Sequence, residues 1–331
     1  MKSITDLFAG AFLIVGVAGV LACGSVESQP EPEPEPGPGP DGIALDARFN
    51  SNRADALQTF SFDAATGTTV TGAQGTRVTV PANGLALDGV PVVGTVTLEL
   101  LEVYDRASML LNNRATNGVR EDGTVEALKS AGQFFINATQ DGARLDVVSG
   151  VFVDSRPIDP ASLDTGMGLF KAGAELDDTA NWEAVELGAD GGNGVGIRDG
   201  AEGVSYSYGI GDFGWTNLDR WYDYSGEMTT LMVEPPAGYN GDNSALFLTY
   251  DGEGTALAAM DVFNEDLGMF SEHYGRIPVG QQVHFILVTE IDGELHYAIQ
   301  GATIGADHVE VMATPTPGTQ ADLEAAINAL P

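Results

Sequence analysis

Beyond residue 42 the chain reads as short stretches of alternating apolar and polar positions, broken by Gly, Asp and Asn. That is the pattern of antiparallel sheets with one face toward water. Val78 and Val80 alternate with Arg77 and Thr79, and Val96, Leu98 and Leu100 alternate with Thr95, Thr97 and Glu99. Gln133 to Thr139 and Arg144 to Val153 continue the series, with Asp141-Gly142 between them as a two-residue hairpin signal. Asp292-Gly293 is a second such signal, and a two-residue turn there pairs residues whose numbers sum to 585, as 291 and 294 do. One face of that hairpin then carries Ile286, Val288, Leu295, Tyr297 and Ile299, a core face, and the other carries Phe285, Leu287, Thr289, His296 and Ala298. Helical periodicity is confined to Ala321 to Leu330, where Thr319 and Asp322 have the spacing of a capping pair. The fold class expected is all-β: two antiparallel β-sandwich or barrel-like domains with a short C-terminal helix.

Glycine density sets the expected boundary. Gly188 to Gly203 holds seven glycines in 16 residues, too many for a stable strand or helix interior. The expected organisation is a β-sandwich domain over 43–190, a glycine-rich linker over 191–203 and a second β domain over 204–331. No fixed-period repeat is visible, which argues against a solenoid or propeller.

The amino-terminal 42 residues follow other rules. Residues 7–22, LFAGAFLIVGVAGVLA, form an uncharged apolar run, shorter than the roughly 20 apolar residues of a spanning helix and suited to a signal peptide over 1–22. Val20-Leu21-Ala22-Cys23 resembles the lipobox of bacterial lipoproteins. The resemblance implies cleavage before Cys23 and acylation of that cysteine, an anchor in the membrane, since more than one acyl chain holds a protein firmly. Gly24 follows in place of an inner-membrane retention aspartate, which points to the outer membrane. Residues 23–42 then read as a stalk: Gln29 to Pro40 places proline at every second position from Pro30, which excludes helix and sheet and favours an extended polyproline rod.

Composition narrows the function. Of 331 residues, 43% are hydrophobic and 19% charged, enough for a sizeable core. Forty-eight acidic residues against 14 basic ones give a net charge of −34. Nucleic acid is excluded as a partner, because phosphate-backbone binding needs a basic surface. The acidity suits a salty medium, where it keeps the surface hydrated. Cys23 is the one cysteine, so an internal disulfide or zinc-thiolate site is impossible.

Candidate chemistry concentrates in Gly211 to Tyr224, GDFGWTNLDRWYDY. Exposed, Trp215, Trp221 and Tyr222 would stack on sugar rings while Asn217 and Asp219 accept hydroxyl hydrogen bonds. Buried, they form a packing plug, with Arg220 satisfied by a carboxylate. Packing is the favoured reading. Metal binding through His273, His284, His296 and His308 is opposed by the register, which puts His284 and His296 on opposite faces. The acid-rich loops offer an irregular calcium site with Asp190 and Asp199 as its candidates, although none has the spacing of a helical-hand loop. There is no Gly-x-Ser-x-Gly elbow, His-Glu-x-x-His helix or phosphate loop, so no enzyme is expected.

Two stretches carry a family resemblance. Thr76 to Asn113 resembles a β-sandwich module of bacterial surface proteins, loosely akin to the module shared by ankyrins and netrin receptors. Gly211 to Tyr222, Arg276 to Gly280 and the closing Asp322 to Leu330 helix resemble the carboxy-terminal region of the same lipoproteins. The resemblance implies architecture and brings no catalytic residue or cofactor. The expected role is a lipid-anchored, non-catalytic structural or binding module of the cell envelope, its partner an envelope protein or surface glycan. A carbohydrate-binding surface at Trp215 and Trp221 and an acidic-site hydrolase are the alternatives.

Overall fold

In the hairpin Gln282–Ile291 and Glu294–Thr303, every pair from Gln282↔Thr303 to Ile291↔Glu294 sums to 585. Asp292 and Gly293 sit at φ 54° and 78°, as the tight turn requires. Asp141-Gly142 makes the same turn, pairing Gln140 with Ala143. The computed structural model describes residues 38–157, 163–185, 194–200, 203–272 and 275–331. The expected signal peptide, Cys23, most of the stalk, Asp190 and His273 lie outside those residues. Among the described residues strands dominate, with three helices, as an all-β fold requires.

An eight-stranded sheet lies at the heart of the molecule. Its long strands Thr95–Val103, Val125–Gln140 and Gly214–Trp221 are neighbours, and Gln58–Asp63 flanks them on one side. On the other side Gly168–Lys171, Trp182–Ala184 and Asn117–Val119 follow, and Asn117–Val119 pairs back onto Val125–Ala127. Five strands thereby close into a ring. Because successive strand residues point to opposite faces, the large sheet feeds two cores. Val96, Leu98, Leu100, Phe134 and Ile136 face one, and Leu101, Val103, Phe135 and Trp215 face the other.

The first core is closed by an outer sheet of five strands, in the order Val195–Gly200, Gly203–Ile210, Val151–Ser155, Arg77–Val80 and Thr68–Thr71. It contributes Val78, Val80, Val151, Val153, Tyr206 and Tyr208. The second core lies between the large sheet and the sheet built on Ala245–Tyr250 and the 585 hairpin, whose Ile286, Val288 and Leu295 enter it. The opposite face of that hairpin, with Phe285 and Leu287, packs in a third core with Leu231, Val233 and Phe270. This answers the mixed face read from the sequence: both faces are covered.

Three helices border the middle core. α1 (Gly42–Ala56) begins where the stalk and a β domain were expected to meet. The Asp41 carboxylate accepts from the Ala44 N–H at 3.0 Å, capping the helix, and Leu45, Phe49 and Arg53, spaced by four, are its buried stripe. α2 (Arg106–Leu111) is capped by Asp105. α3 (Gln320–Asn328) carries the expected capping box, with the Thr319 hydroxyl and Asp322 carboxylate reciprocally bonded, and buries Leu323 and Ile327.

The glycine-rich segment does not divide the molecule as the sequence suggested. Val195–Gly200 pairs with Gly203–Ile210 from Val195↔Tyr208 to Gly200↔Gly203, and the next strand, Gly214–Trp221, enters the large sheet. Residues 204–221, assigned by sequence to a second domain, complete the first sandwich because Tyr206, Tyr208 and Ile210 supply its core. Pro38–Pro331 is one compact unit.

Candidate functional site

The strand Gly214–Trp221 runs without irregularity, so Trp215, Asn217, Asp219 and Trp221 all project from one face. The bulge that accommodates it lies in its neighbour, where Asn217 opposes Gln133 and Asp219 opposes Ser130. Gly132 occupies the bulge at φ 135°, a conformation suited to glycine. The structure therefore brings the sequence-predicted residues together, but on a face turned into the middle core.

Trp215 is 1% exposed, and Asn217 and Asp219 are fully buried. The Ser130 hydroxyl donates to Asn217 Oδ1 at 2.8 Å, and Asn217 Nδ2 donates to Asp219 Oδ2 at 2.5 Å. Burial pushes the Asp219 carboxyl well above the usual carboxylate range, against a smaller opposing effect from the Ser130 hydroxyl. The cluster holds a neutral acid in an interior network.

Trp215 belongs to an aromatic stack that the sequence did not reveal. Its ring meets Trp182 edge to face at a centroid distance of 6.4 Å, and the Arg114 guanidinium lies 4.5 Å from the Trp215 ring and 4.4 Å from Trp182. Each indole N–H donates to a carbonyl, Trp215 to Glu175 at 3.1 Å and Trp182 to Ala115 at 2.8 Å. Arg114 donates from Nη1 to the Asp178 carbonyl at 2.6 Å, while its Nε and Nη2 have no hydrogen-bond partner. Desolvation, with the like charge of Arg53, pulls the guanidinium down to about 9. A lone arginine in NNRATNG gives no sequence sign of this role.

Trp221 is half-buried, with its ring beneath the Arg120 guanidinium at 4.0 Å and edge to face with Phe170 at 5.6 Å. Tyr222 stacks at 4.9 Å on Tyr250 and lies under Lys129. An exposed tryptophan pair, the premise of the sugar-stacking reading, is thus not formed: one ring is in the core and the other is covered by a cation. Arg220 pairs with Asp164, the partner expected of it.

Beside Trp221 an open cleft of about 590 Å³ is lined by Arg120, Glu121, Asp122 and Glu183. It holds carboxylates, but the Thr124 hydroxyl and backbone N–H hold Asp122 below the usual carboxylate range, the reverse of what a general acid needs.

His284 opposes Gly301 and His296 opposes Thr289, so the two lie on opposite faces as read from the register. His284 Nδ1 is 2.7 Å from Asp251 and His308 Nε2 is 2.9 Å from Glu310. Asp199 lies on the strand Val195–Gly200, opposite Val204. Among the described residues, no group of three or more His, Cys, Asp or Glu side chains is placed to hold a metal ion. No helix among them is long and apolar enough to cross a membrane. No protein-family model matches the chain, and no curated protein matches it either.

Proposed function

We propose that the protein is an exported, lipid-anchored component of a bacterial envelope, in which the Pro38–Pro331 unit is a non-catalytic binding module. The observation that carries the reading is the position of the one cysteine. Cys23 follows an apolar run and the small residue Ala22, and lies outside the compact unit. Acylation there would leave the folded unit chemically untouched. Trp215, Asn217 and Asp219, at the centre of the segment that first suggested a site, are committed to the interior, which leaves exposed strand faces for contact.

Mass spectrometry of the mature chain purified from bacterial membranes tests the anchor. The expected product begins at Cys23 and carries the added mass of a diacylglyceryl group and an amide-linked acyl chain. Cys23→Ser should release the protein into the soluble fraction or leave its leader uncleaved. An intact Met1, or an unmodified Cys23 on a membrane-associated chain, would overturn the assignment.

A further inference from the structure

The outer sheet turns Val78, Val153, Tyr206 and Tyr208 into the first core, so the alternate positions lie on its outer face, where Asp154 is itself buried among its neighbours. On that face Arg77 opposes Asp154, Asp154 opposes Ser207, and Ser207 opposes Gly196. Two residues along, in the same phase, lie Gly75, Arg156, Ser205 and Arg198, with Arg198 registered on Ser205. The strand of Ser205 separates those of Arg156 and Arg198, a spacing of about 10 Å for two strand intervals, within reach of two converging arginine side chains.

A cavity of about 240 Å³ opens between them, lined by Arg77, Arg156, Arg198, Asp154, Ser205 and three glycines. The space beside the glycines is open: a Cβ at Gly75 or Gly200 would meet nothing closer than 3.8 Å, and one at Gly203 nothing within 4 Å. Three of the chain's 11 arginines thus meet around one carboxylate on a protein of net charge −34.

We propose that this face is a binding site for a tetrahedral oxyanion, a phosphate or sulfate group either free or esterified, held by Arg77, Arg156 and Arg198. Charge matching selects the class. The lining side chains sum to +2, and a phosphate group carries about −1.5 to −2 near neutral pH. Planar guanidinium forks bond such oxygens in pairs. The guanidinium groups need not be unpaired, since each has five N–H donors. Arg198 uses Nη1 on Asp154 Oδ2 at 3.0 Å, and Asp154 in turn fixes the direction of that side chain. The acidic remainder of the surface opposes binding only weakly, because charges beyond about 8 Å are largely screened at physiological ionic strength. The Ser205 hydroxyl supplies a neutral donor at the cavity wall.

The site deepens the binding half of the reading above and does not depend on acylation of Cys23, so failure of either leaves the other testable. Calorimetric titration of the purified full chain with inorganic phosphate, sulfate and glycerol 3-phosphate, each at ionic strength matched with sodium chloride, is the experiment. Saturable binding at one site is expected, with Arg77→Gln and Arg198→Gln each weakening it at least tenfold. Arg144→Gln, at an exposed pair with Glu175, should leave it unchanged. Tighter binding of glycerol 3-phosphate identifies an ester as the ligand, and tighter binding of inorganic phosphate a free ion. A second measurement needs no variant: saturating sulfate should slow phenylglyoxal modification of Arg77 and Arg198 in the wild-type chain relative to Arg144. A non-saturating response to all three anions, equal weakening by Arg144→Gln, or absence of selective protection would overturn the proposal.

Discussion

Arg114 is a buried cation hydrogen-bonded to no carboxylate, with the charge of Asp178 only partly offsetting its desolvation, and replacing it with methionine should leave the protein almost as stable as before. The fall of its pKa from 12.5 to about 9 corresponds to about 5 kcal/mol against the charged form, at about 1.4 kcal/mol per pH unit. Three contacts offset that cost. The Trp182 and Trp215 rings, at 4.4 and 4.5 Å, contribute up to about 2 kcal/mol each in a desolvated setting. The bond to the Asp178 carbonyl contributes about 1.5 to 3 kcal/mol. Cost and gain nearly cancel. Arg114→Met removes both, relieves the repulsion from Arg53, and refills the slot between the indoles with a thioether suited to aromatic contact. Its unfolding free energy should lie within about 1.5 kcal/mol of the wild type. Arg114→Ala empties the slot and should cost about 2 to 5 kcal/mol through the cavity. Urea unfolding of the three proteins at pH 7, followed by circular dichroism, reads the contrast. If Arg114→Met loses as much as Arg114→Ala, the charge itself holds the tryptophans together and the reasoning fails.

The folded state keeps Asp219 protonated at pH values where the unfolded chain releases that proton. Its stabilising share is full below the ordinary 3.8 and is lost as pH rises through the folded value. Asp219→Asn preserves the acceptor for Asn217 and cannot ionise. It should melt higher than the wild type at pH 7, and the difference should vanish toward pH 3.5; a pH-independent difference in a thermal series would contradict this. Gly132→Ala places a methyl group 2.7 Å from Phe134 Cζ and 2.9 Å from Tyr104 Cε1, at φ 135°. A loss of at least about 2 kcal/mol is expected from strain and overpacking together. Gly123→Ala, at φ 83° in open space, should lose only about 1 to 2 kcal/mol. Equal losses in urea unfolding would show that steric closure at the bulge is irrelevant.

Local signals in the sequence survived folding because the physics behind them is local. Asp-Gly turns adopt positive φ at Asp141 and Asp292, and two-residue loops then fix register at every pair of a hairpin. The Thr319–Asp322 cap needs only neighbouring residues. α1 escaped notice because Leu45 and Phe49 are its only buried apolar residues, and Arg53 completes the stripe; Asp41 and the four-residue spacing were the available signs. The boundary at the glycines was misplaced because glycine frequency measures local flexibility, whereas domain division depends on partners far along the chain. Tyr206 and Tyr208 already alternated, but their strand neighbour is Val151–Ser155, some 50 residues upstream. The same distance hid the arginine face, since positions 77, 156 and 198 become neighbours only through the strand order of the outer sheet.

The middle core is sealed from both ends of the compact unit. α1 brings Leu45 and Phe49, α3 brings Leu323 and Ile327, and Arg106 on α2 donates to the carbonyls of Leu330 and Pro331. This layer is therefore incomplete until residues 320–328 have been made and docked. A chain clipped before residue 320 would lack Leu323 and Ile327 and leave their neighbours in the middle core open to water.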